Sequence, residues 1–197
     1  RYLAVTGVQT CALPISREQN RYLTLRDFAN LCVKNIAGGD ALTSHASACL
    51  PVSPPPFMAG IAEVEVDKAT GKVTVVDYAA AVDCGTVINE ALARVQAEGG
   101  IAQGIGHALY EIVEHDERGR LRTGNFMSYK LPTRLDIGSI RVAFEPSYEP
   151  TGPFGAKSIG EVVINTPLAA VASAVAHATG HQVRSLPITP EKALLGE

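Results

Sequence analysis

The stretch NEALARVQAEGGIAQGIGHALY, residues 89–110, decides the fold expected for this chain. It predicts one long helix, although Gly99, Gly100, Gly104 and Gly106 interrupt it. Each glycine costs about 1 kcal/mol relative to alanine in a helix interior. A sequence that keeps four of them indicates that something approaches the helix backbone closely. A ligand would explain this, and so would another helix or strand packed against the helix.

Strands are expected on both sides of this helix. Before it, Ile61, Val64 and Val66 begin a strand, residues 67–72 have the composition of a hairpin turn, and residues 73–82 form the returning strand. After it, the pattern predicts a series of shorter elements: a short strand, a turn at residues 116–119, a second strand near Leu121, extended chain over residues 126–133 and a strand over residues 137–144.

The helix predicted after residue 166 has clear signals at both of its ends. Thr166 is the expected N-cap, Pro167 the first helical residue and Gly180 the stop after Ala178. An extended tail and a final helical turn follow from Leu186 onward. Strands and helices alternate irregularly, so the sequence predicts an α+β fold of mixed sheets with packed helices.

The amino-terminal part divides into two segments before the main domain at residues 58–197. Residues 1–15 lack a clear period and resemble translated adapter sequence, so we hypothesise that they are not native. A continuous genomic reading frame through these codons would contradict that hypothesis. Residues 16–57 are expected to form a helix over 23–36, capped by Thr24 and stopped by Gly38 and Gly39, and then a proline-rich connector.

Composition excludes several classes of partner. The formal net charge is −3, and no basic patch with interleaved aromatic residues predicts nucleic-acid binding. No apolar run approaches the length of a membrane span, and no signal peptide opens the chain. The four cysteines are scattered without a Cys-x-x-Cys pair, which argues against a structural metal, an iron–sulfur cluster or a disulfide framework. We therefore expect a reduced, cytoplasmic protein without membrane or nucleic-acid partners.

The richest candidate site is the glycine-rich loop at residues 152–161, which ends in Glu161 just before a helix. A carboxylate placed among Ile159, Val162 and Val163 would have a raised pKa, which suits a general base. The alternative is an acidic residue that only caps the helix or interacts with its dipole, and spacing alone favours that alternative. Lys157 adds a cation to the loop.

A second candidate lies on the long helix, where Gln96 and Gln103 are two helical turns apart and therefore on one face. Their amides both donate and accept hydrogen bonds, which suits the edge of a pterin. Two solvated glutamines would show the same spacing. His177 and His181 are four residues apart, but Gly180 breaks the helix between them, so we expect no metal ligands in this chain.

Taken together and in order, five segments resemble the C-terminal part of the molybdopterin-binding large subunit of the xanthine dehydrogenase/aldehyde oxidase family of molybdenum hydroxylases. They are PPPF at residues 54–57, AVDCGTVIN at 81–89, QAEGGIAQGIG at 96–106, YKLPT at 129–133 and GPFGAKSIGE at 152–161. The resemblance implies the fold of the second molybdopterin-binding domain of that subunit. The order of the five segments is more specific to the family than any one segment is.

The resemblance also implies roles for individual residues. Glu161 matches the catalytic base that deprotonates the hydroxyl bound to molybdenum, and Gln96 matches a glutamine that hydrogen-bonds the cofactor. Lys157, Ser158 and Gly160 match the loop that holds this base beside the metal. The implied cofactor is molybdenum–molybdopterin, either plain or as its cytosine dinucleotide. In this family no protein side chain coordinates the metal, and partner domains or subunits carry the iron–sulfur clusters and FAD.

Three residues depart from the family pattern: Val95 and Ser158 replace common glycines, and Glu90 replaces a common proline. Ser158 makes the loop less free, which bears on substrate choice. The segments at 148–153 and 186–191 resemble bacterial xanthine dehydrogenase most closely, so the expected activity is hydroxylation of a heterocycle such as xanthine or hypoxanthine with water-derived oxygen. The alternatives are an aldehyde oxidoreductase, a carbon monoxide dehydrogenase-like subunit, or an inactive cofactor-binding module when the fragment is isolated.

Overall fold

The computed structural model describes residues 12–16, 21–34, 45, 47, 49 and 52–196. The chain divides into two compact units, Arg1–Cys49 and Leu50–Glu197. In the first unit, strand β1 (Ala12–Ser16) pairs antiparallel with strand β2 (Arg21–Thr24). Residues 1–11 of the adapter-like segment lie outside the described residues, and its non-native origin stays a prediction.

Helix α1 (Leu25–Lys34) completes the described part of the first unit. Its cap is the predicted one, because Thr24 Oγ1 accepts a hydrogen bond from the Asp27 N–H at 3.1 Å and donates one to the Asp27 carboxylate at 2.6 Å. The first of these bonds satisfies one free N–H group of the first turn, and the second holds the two side chains together. The predicted glycine stop at 38–39 lies outside the described residues.

The second unit is built on a three-stranded sheet. Strand β3 (Phe57–Val66) and strand β4 (Val73–Asp83) form the predicted antiparallel hairpin, and strand β5 (Ser139–Phe144) runs parallel to β4 on its other side. In the turn, Asp67 accepts from the Ala69 N–H at 2.8 Å and from the Thr70 hydroxyl at 2.8 Å. These bonds close the reversal that aligns the two strands.

Three helices accompany the sheet: α2 (Glu90–Leu109), α3 (Val162–Thr179) and α4 (Pro190–Leu195). As predicted, α2 is one long helix, and the Asn89 side chain caps it by accepting from the Leu92 N–H at 3.1 Å. The α+β architecture of a mixed sheet with packed helices is therefore confirmed. The largest fully buried side chains come from β4, α2 and α3: Tyr78, Ile101, Ile105, Val75, Val82, Val163, Val171, Val175 and Pro167.

Helices α2 and α3 run parallel, and two glycines let them approach closely. A Cβ on Gly100 would lie 2.3 Å from Val163 Cγ2, and one on Gly104 would lie 2.8 Å from Pro167 Cβ. Helix-on-helix packing, one of the two interpretations of the glycine-rich helix, therefore accounts for these two residues. It also allows Val163 to be fully buried, and complete burial of a side chain of this kind contributes roughly 1.5–3 kcal/mol.

The start of α3 differs from the prediction. The helix begins at Val162, with Glu161 as N-cap, so Thr166 is not the cap and Pro167 lies inside the helix. Proline lacks one N–H donor, which is a cost in a helix interior. Pro167 is fully buried against Gly104, and this packing offsets the cost. The predicted stop is confirmed, because Gly180 ends the helix with a φ of 81°.

The region after α2 is less regular than predicted. The two short strands reduce to a single bridge between His115 and Leu121 around the predicted turn. Residues 126–128 form a turn instead of extended chain, because the Ser128 and Tyr129 N–H groups bond back to the Asn125 carbonyl at 3.1 and 2.8 Å. The Tyr129 hydroxyl donates to the buried carboxylate of Glu111, which ties this region to the end of α2.

The sequence analysis found no apolar run as long as a membrane span, but helix α3 is such a run, with 18 residues. By length and composition alone it could cross a membrane, although buried helices of soluble proteins pass the same test. In this structure its residues Val163, Pro167, Val171 and Val175 recur every four positions and form its buried face. That face packs against α2 and β3.

Candidate functional site

The loop at residues 152–161 is fastened to the end of β4 by backbone hydrogen bonds. The Lys157 N–H donates to the Cys84 carbonyl at 2.7 Å, and the Thr86 N–H donates to the Gly155 carbonyl at 2.8 Å. Between them, Gly85 and Ala156 form an antiparallel bridge. Gly85 has a φ of +69°, and a Cβ there would lie 2.3 Å from the Gly155 carbonyl oxygen. Glycine at this position therefore lets the loop approach the strand.

A buried ion pair strengthens this attachment. The Lys157 Nζ lies 2.5 Å from the Asp83 carboxylate, and the lysine side chain is only 8% exposed. The Lys157 ammonium, then the Ser147 hydroxyl and then the Gly85 N–H hold the pKa of Asp83 at about 2, below its ordinary value of 3.8. The ammonium also lies 5.1 Å from the centre of the Phe57 ring. Asp83 thus stays ionised at neutral pH and holds the loop in place.

Glu161 follows this fastened segment and lies directly before α3. Its side chain is exposed and makes no capping hydrogen bond to the helix. Glu161 is thus the N-cap residue without a side-chain capping bond, and its interaction with the helix dipole stays an alternative to the role of a base. The predicted apolar enclosure is wrong for the described residues, because Val163 points into the α2–α3 contact instead. The structure leaves this carboxylate accessible at the end of a fixed loop.

Gln96 and Gln103 are both exposed on α2, and Gln96 lies one helical turn before the buried Gly100. The contacts of Gly100 with Val163 and of Gly104 with Pro167 share an offset of 63 residues between the parallel helices. These two contacts place the start of α3, which Glu161 precedes, beside the part of α2 that follows Gln96. The fold therefore brings the two principal predicted residues to the same end of the helix pair.

The remaining predicted loop residues divide into two kinds. Ser158 and Gly160 are exposed beside Glu161, whereas the Lys157 side chain is committed to Asp83. Sequence reasoning did not single out Asp83 or Ser147 as functional. The pairs Asp83–Lys157 and Asp83–Ser147 are separated by 74 and 64 residues, so no local spacing could reveal them. The signal available was the occurrence of Asp83 within the AVDCG segment.

The surface around Gln96 and Glu161 has room for a ligand. A Cβ built on Gly99 or on Gly160 would meet no heavy atom within 4 Å. Neither glycine has a positive φ, so backbone conformation does not require glycine at either position. The exposed amides of Gln96 and Gln103 can donate to and accept from a heterocycle. The amides donate and accept hydrogen bonds, the carboxylate accepts them, and the glycines leave space beside the backbone. Together these groups fit a pterin cofactor.

Comparison with known proteins identifies the class. The model of the molybdopterin cofactor-binding domain family matches residues 11–138, so the chain belongs to that family. The match includes β3, β4 and α2 and ends before the loop that carries Glu161. A domain of this family binds the molybdenum–molybdopterin cofactor.

Individual relatives agree with this family. The chain is 34% identical over 179 residues to the putative xanthine dehydrogenase molybdenum-binding subunit of Escherichia coli K12, covering 90% of this chain and 24% of that protein. It is 37% identical over 142 residues to the aldehyde oxidoreductase of Megalodesulfovibrio gigas, covering 70% of this chain and 15% of that protein. The chain therefore spans about a quarter or less of the length of these relatives.

A solved structure shows the same fold. The copper- and molybdenum-containing carbon monoxide dehydrogenase superposes on 95% of this chain with a TM-score of 0.73 at 21% identity, and the match covers 24% of the dehydrogenase chain. At that identity the likeness concerns the fold alone. The sheet and helices described above therefore share the fold of this part of the dehydrogenase chain.

Proposed function

We propose that this chain is the C-terminal part of the molybdenum-binding subunit of an enzyme that hydroxylates a heterocycle such as xanthine or hypoxanthine. One observation carries the proposal: an exposed carboxylate, Glu161, lies at the end of an anchored loop, directly before the helix that packs against the α2 helix carrying the exposed Gln96. The similarity to a putative xanthine dehydrogenase subunit supports the substrate class.

In this proposal Glu161 is the general base. Its Oε atoms accept the proton from the attacking oxygen, and solvent later removes it. Gln96 hydrogen-bonds the pterin edge, and Gly99 and Gly160 leave room for the cofactor next to the backbone. When bound, the molybdenum–molybdopterin cofactor supplies the two-electron redox chemistry. The anchored loop contributes orientation, since a base acts only within hydrogen-bond reach of the proton it removes.

Lys157 has an indirect part in this scheme. Its side chain is paired with Asp83 inside the protein, so it positions the loop and does not contact the cofactor. Ser158 lies between this anchor and Glu161 and is exposed. A serine at this point is the residue of the loop best placed to tune which substrate reaches the base.

An aldehyde oxidoreductase is the second candidate function, because a relative with that name shares 37% identity with this chain. The same carboxylate would then serve attack on an aldehyde carbon. A carbon monoxide dehydrogenase-like activity has support from the fold alone. Turnover of the full-length enzyme with xanthine, hypoxanthine and simple aldehydes in parallel separates these alternatives.

Further components belong to the same proposal. The cofactor is present in plain form or as the cytosine dinucleotide, and iron–sulfur and FAD-binding subunits or domains carry the electrons away. The name of the Escherichia coli relative, a molybdenum-binding subunit, supports separate partners. We propose a cytoplasmic location without membrane or nucleic-acid partners. The buried thiol of Cys84, which forms no disulfide, is consistent with a reducing compartment.

The test is Glu161→Gln in the full-length subunit, assembled with its partners. Turnover should fall by about 10²–10⁴-fold, because the amide cannot accept the proton, while bound molybdenum and pterin stay unchanged. Glu191→Gln is the matched control, since Glu191 is also an exposed glutamate at the first turn of a helix. Undiminished turnover in Glu161→Gln would refute the role of this residue.

A separate measurement tests the inactive-module alternative. Metal and pterin analysis of the 197-residue chain and of the full-length subunit shows which of them retains the cofactor. Retention by the full-length subunit alone would assign this chain a supporting role in binding. It would leave the base assignment to the Glu161→Gln experiment.

A further inference from the structure

The free edge of β3 is the starting point for a further inference. β3 has ten residues and pairs with β4. Among the residues that the structure describes, its opposite edge pairs with no strand. An edge of this length presents a row of free backbone N–H and C=O groups, which natural proteins normally shorten, charge or cover. The amino-terminal half of β3 carries none of the charged residues that blunt such an edge: its sequence is FMAGIA.

A groove lies between this edge and α3. It has a volume of about 450 Å³. Its walls are Gly60, Ile61 and Ala62 of β3 and a row of small residues on α3, namely Thr166, Ala169, Ala170, Ser173 and Ala174. Ile61 is 75% exposed. Small side chains on both walls let a backbone approach closely, whereas the Ile61 side chain alternates with Gly60 and Ala62 and lies on the other face of the sheet.

An unpartnered buried hydroxyl, that of Tyr78, lies behind Gly60, one of the residues that line this groove. Tyr78 is fully buried, and its hydroxyl has no hydrogen-bond partner among the described residues. The hydroxyl lies against two residues that line the groove: a Cβ on Gly60 would be 2.0 Å from the Tyr78 oxygen and 2.9 Å from Thr166 Cγ2. Buried hydroxyls in native proteins almost always have a partner. This one points to a donor or acceptor that enters from the groove.

From these observations we propose that an extended segment of the longer subunit adds to the sheet as a fourth strand along the free edge of β3. Its backbone pairs with β3, its side chains lie over the small residues of α3, and one of its polar groups bonds the Tyr78 hydroxyl. A helix in the groove would satisfy its own backbone and leave the edge groups of β3 unpaired. A strand pairs with the free backbone groups of β3 and also covers the groove with its side chains.

The source of this segment follows from the length of the relatives. This chain spans 24% of the Escherichia coli subunit and 15% of the aldehyde oxidoreductase. On the proposed function, which makes this chain a part of such a subunit, about three-quarters or more of the polypeptide lies outside the chain and is covalently linked to it. Covalent linkage gives such a segment a high effective concentration at the groove, which a second copy of the chain lacks.

Hydrogen exchange on the full-length subunit tests the pairing. In an antiparallel edge strand, alternate N–H groups face away from β4. In the proposal these outward amides of β3 exchange on the order of 10²-fold more slowly than unprotected amides. Ala169→Arg places a long charged side chain in the groove and should abolish that protection. Ala178→Arg, at another exposed position of α3 outside the groove, should leave it unchanged.

Each outcome of the exchange experiment supports or overturns the added strand. Slow exchange that is lost in Ala169→Arg and kept in Ala178→Arg supports the added strand. Fast exchange of the outward amides in the wild-type full-length subunit overturns the proposal, because no strand then pairs with β3. This holds even if Ala169→Arg lowers the thermal midpoint, since a helix or loop in the groove would also be disturbed by that substitution. Protection that depends on protein concentration also overturns it, because the occupant is then a second copy.

Discussion

Two pairs of glycines near the candidate site differ in what surrounds them. Gly100 and Gly104 lie on the buried side of α2, where any Cβ would collide with Val163 or Pro167 of α3. Gly99 and Gly160 lie in open space, where a Cβ would meet nothing within 4 Å. The first pair is explained by packing inside this chain, whereas the second pair has no such explanation.

This difference separates structural from functional reasons for glycine. At the first pair, side chains would prevent two parallel helices from approaching. At the second pair, glycine keeps a surface clear next to Gln96 and Glu161, the residues proposed to face the cofactor and the substrate. The open pair is thus the part of the glycine pattern that carries functional information, and substitutions at both pairs test that division.

The largest expected effect is on activity, in Gly160→Val of the full-length subunit. A bulky residue directly before Glu161 should displace the carboxylate, and misplacement of a catalytic group by about 1 Å can cost on the order of 10²-fold in rate. Stability should change by less than about 0.5 kcal/mol, since the added side chain meets no neighbour within the chain. Steady-state kinetics and thermal unfolding check both parts.

Gly124→Val is the control for that experiment. Gly124 is also exposed, and a Cβ there would meet nothing nearer than 3.5 Å, but it lies outside the loop that carries Glu161. Equal turnover in the two variants would show that the open space at Gly160 has no bearing on the reaction.

The next effect concerns the ion pair that fastens the loop. Lys157→Met leaves the Asp83 carboxylate without its counter-ion and should lower the free energy of unfolding by about 3 kcal/mol, the lower end for a buried pair because Asp83 is 22% exposed. Arg141→Met is the matched control. It breaks the pair with Asp77, but the Arg141 side chain is 70% exposed, so its loss should cost only about 0–1 kcal/mol.

Urea unfolding of the 197-residue chain measures both variants. Similar losses in Lys157→Met and Arg141→Met would mean that burial of the Lys157 pair adds nothing to its strength. The loop would then depend on its backbone bonds to Cys84 and Thr86 instead.

Local signals explain what the sequence predicted correctly. The β3–β4 hairpin, the Thr24 cap and the Gly180 stop each depend on residues within a few positions of one another, so pattern and turn chemistry suffice to find them. Thr166 and Pro167 also matched a local rule, for a helix start, and that prediction was wrong. There the tertiary contact between Pro167 and Gly104 decided the helix boundary.

The roles of the candidate site residues stay a prediction, and their surroundings could not be predicted from the sequence. Glu161 and Gln96 were named from an ordered set of segments, and the parallel packing of α2 and α3 brings them to one end of the helix pair. The Asp83–Lys157 pair joins residues 74 positions apart, which no periodicity reveals. Glu161 is exposed while Val163 packs against Gly100, 63 positions away, and no local pattern predicts such a contact.

A smaller effect is expected for the free energy of unfolding. Its sign should be opposite at a packed glycine and at an open one. Gly104→Val should destabilise the chain by about 1–3 kcal/mol, because the side chain must enter the packed contact with Pro167 and the Ile164 carbonyl. Gly99→Ala should stabilise it by up to about 1 kcal/mol, since alanine favours a helix and the position is open. Urea unfolding compares the two. A destabilising Gly99→Ala would show that Gly99 has a structural neighbour after all.

The smallest effect is a pH dependence of the same anchor. The folded-state pKa of Asp83 is about 2, below its ordinary value of 3.8. The stability that this depression contributes is therefore complete above about pH 4 and is lost as the pH falls from about 4 toward 2. Lys157 is the largest cause of the depression and Ser147 the next. The decline in unfolding free energy between about pH 5 and pH 2.5 should thus be shallower in Lys157→Met than in Ser147→Ala, and shallower in both than in the wild type. Three parallel curves would mean that the acid sensitivity of the chain arises at other carboxylates, such as Asp136, whose pKa is lowered mainly by the Thr133 hydroxyl.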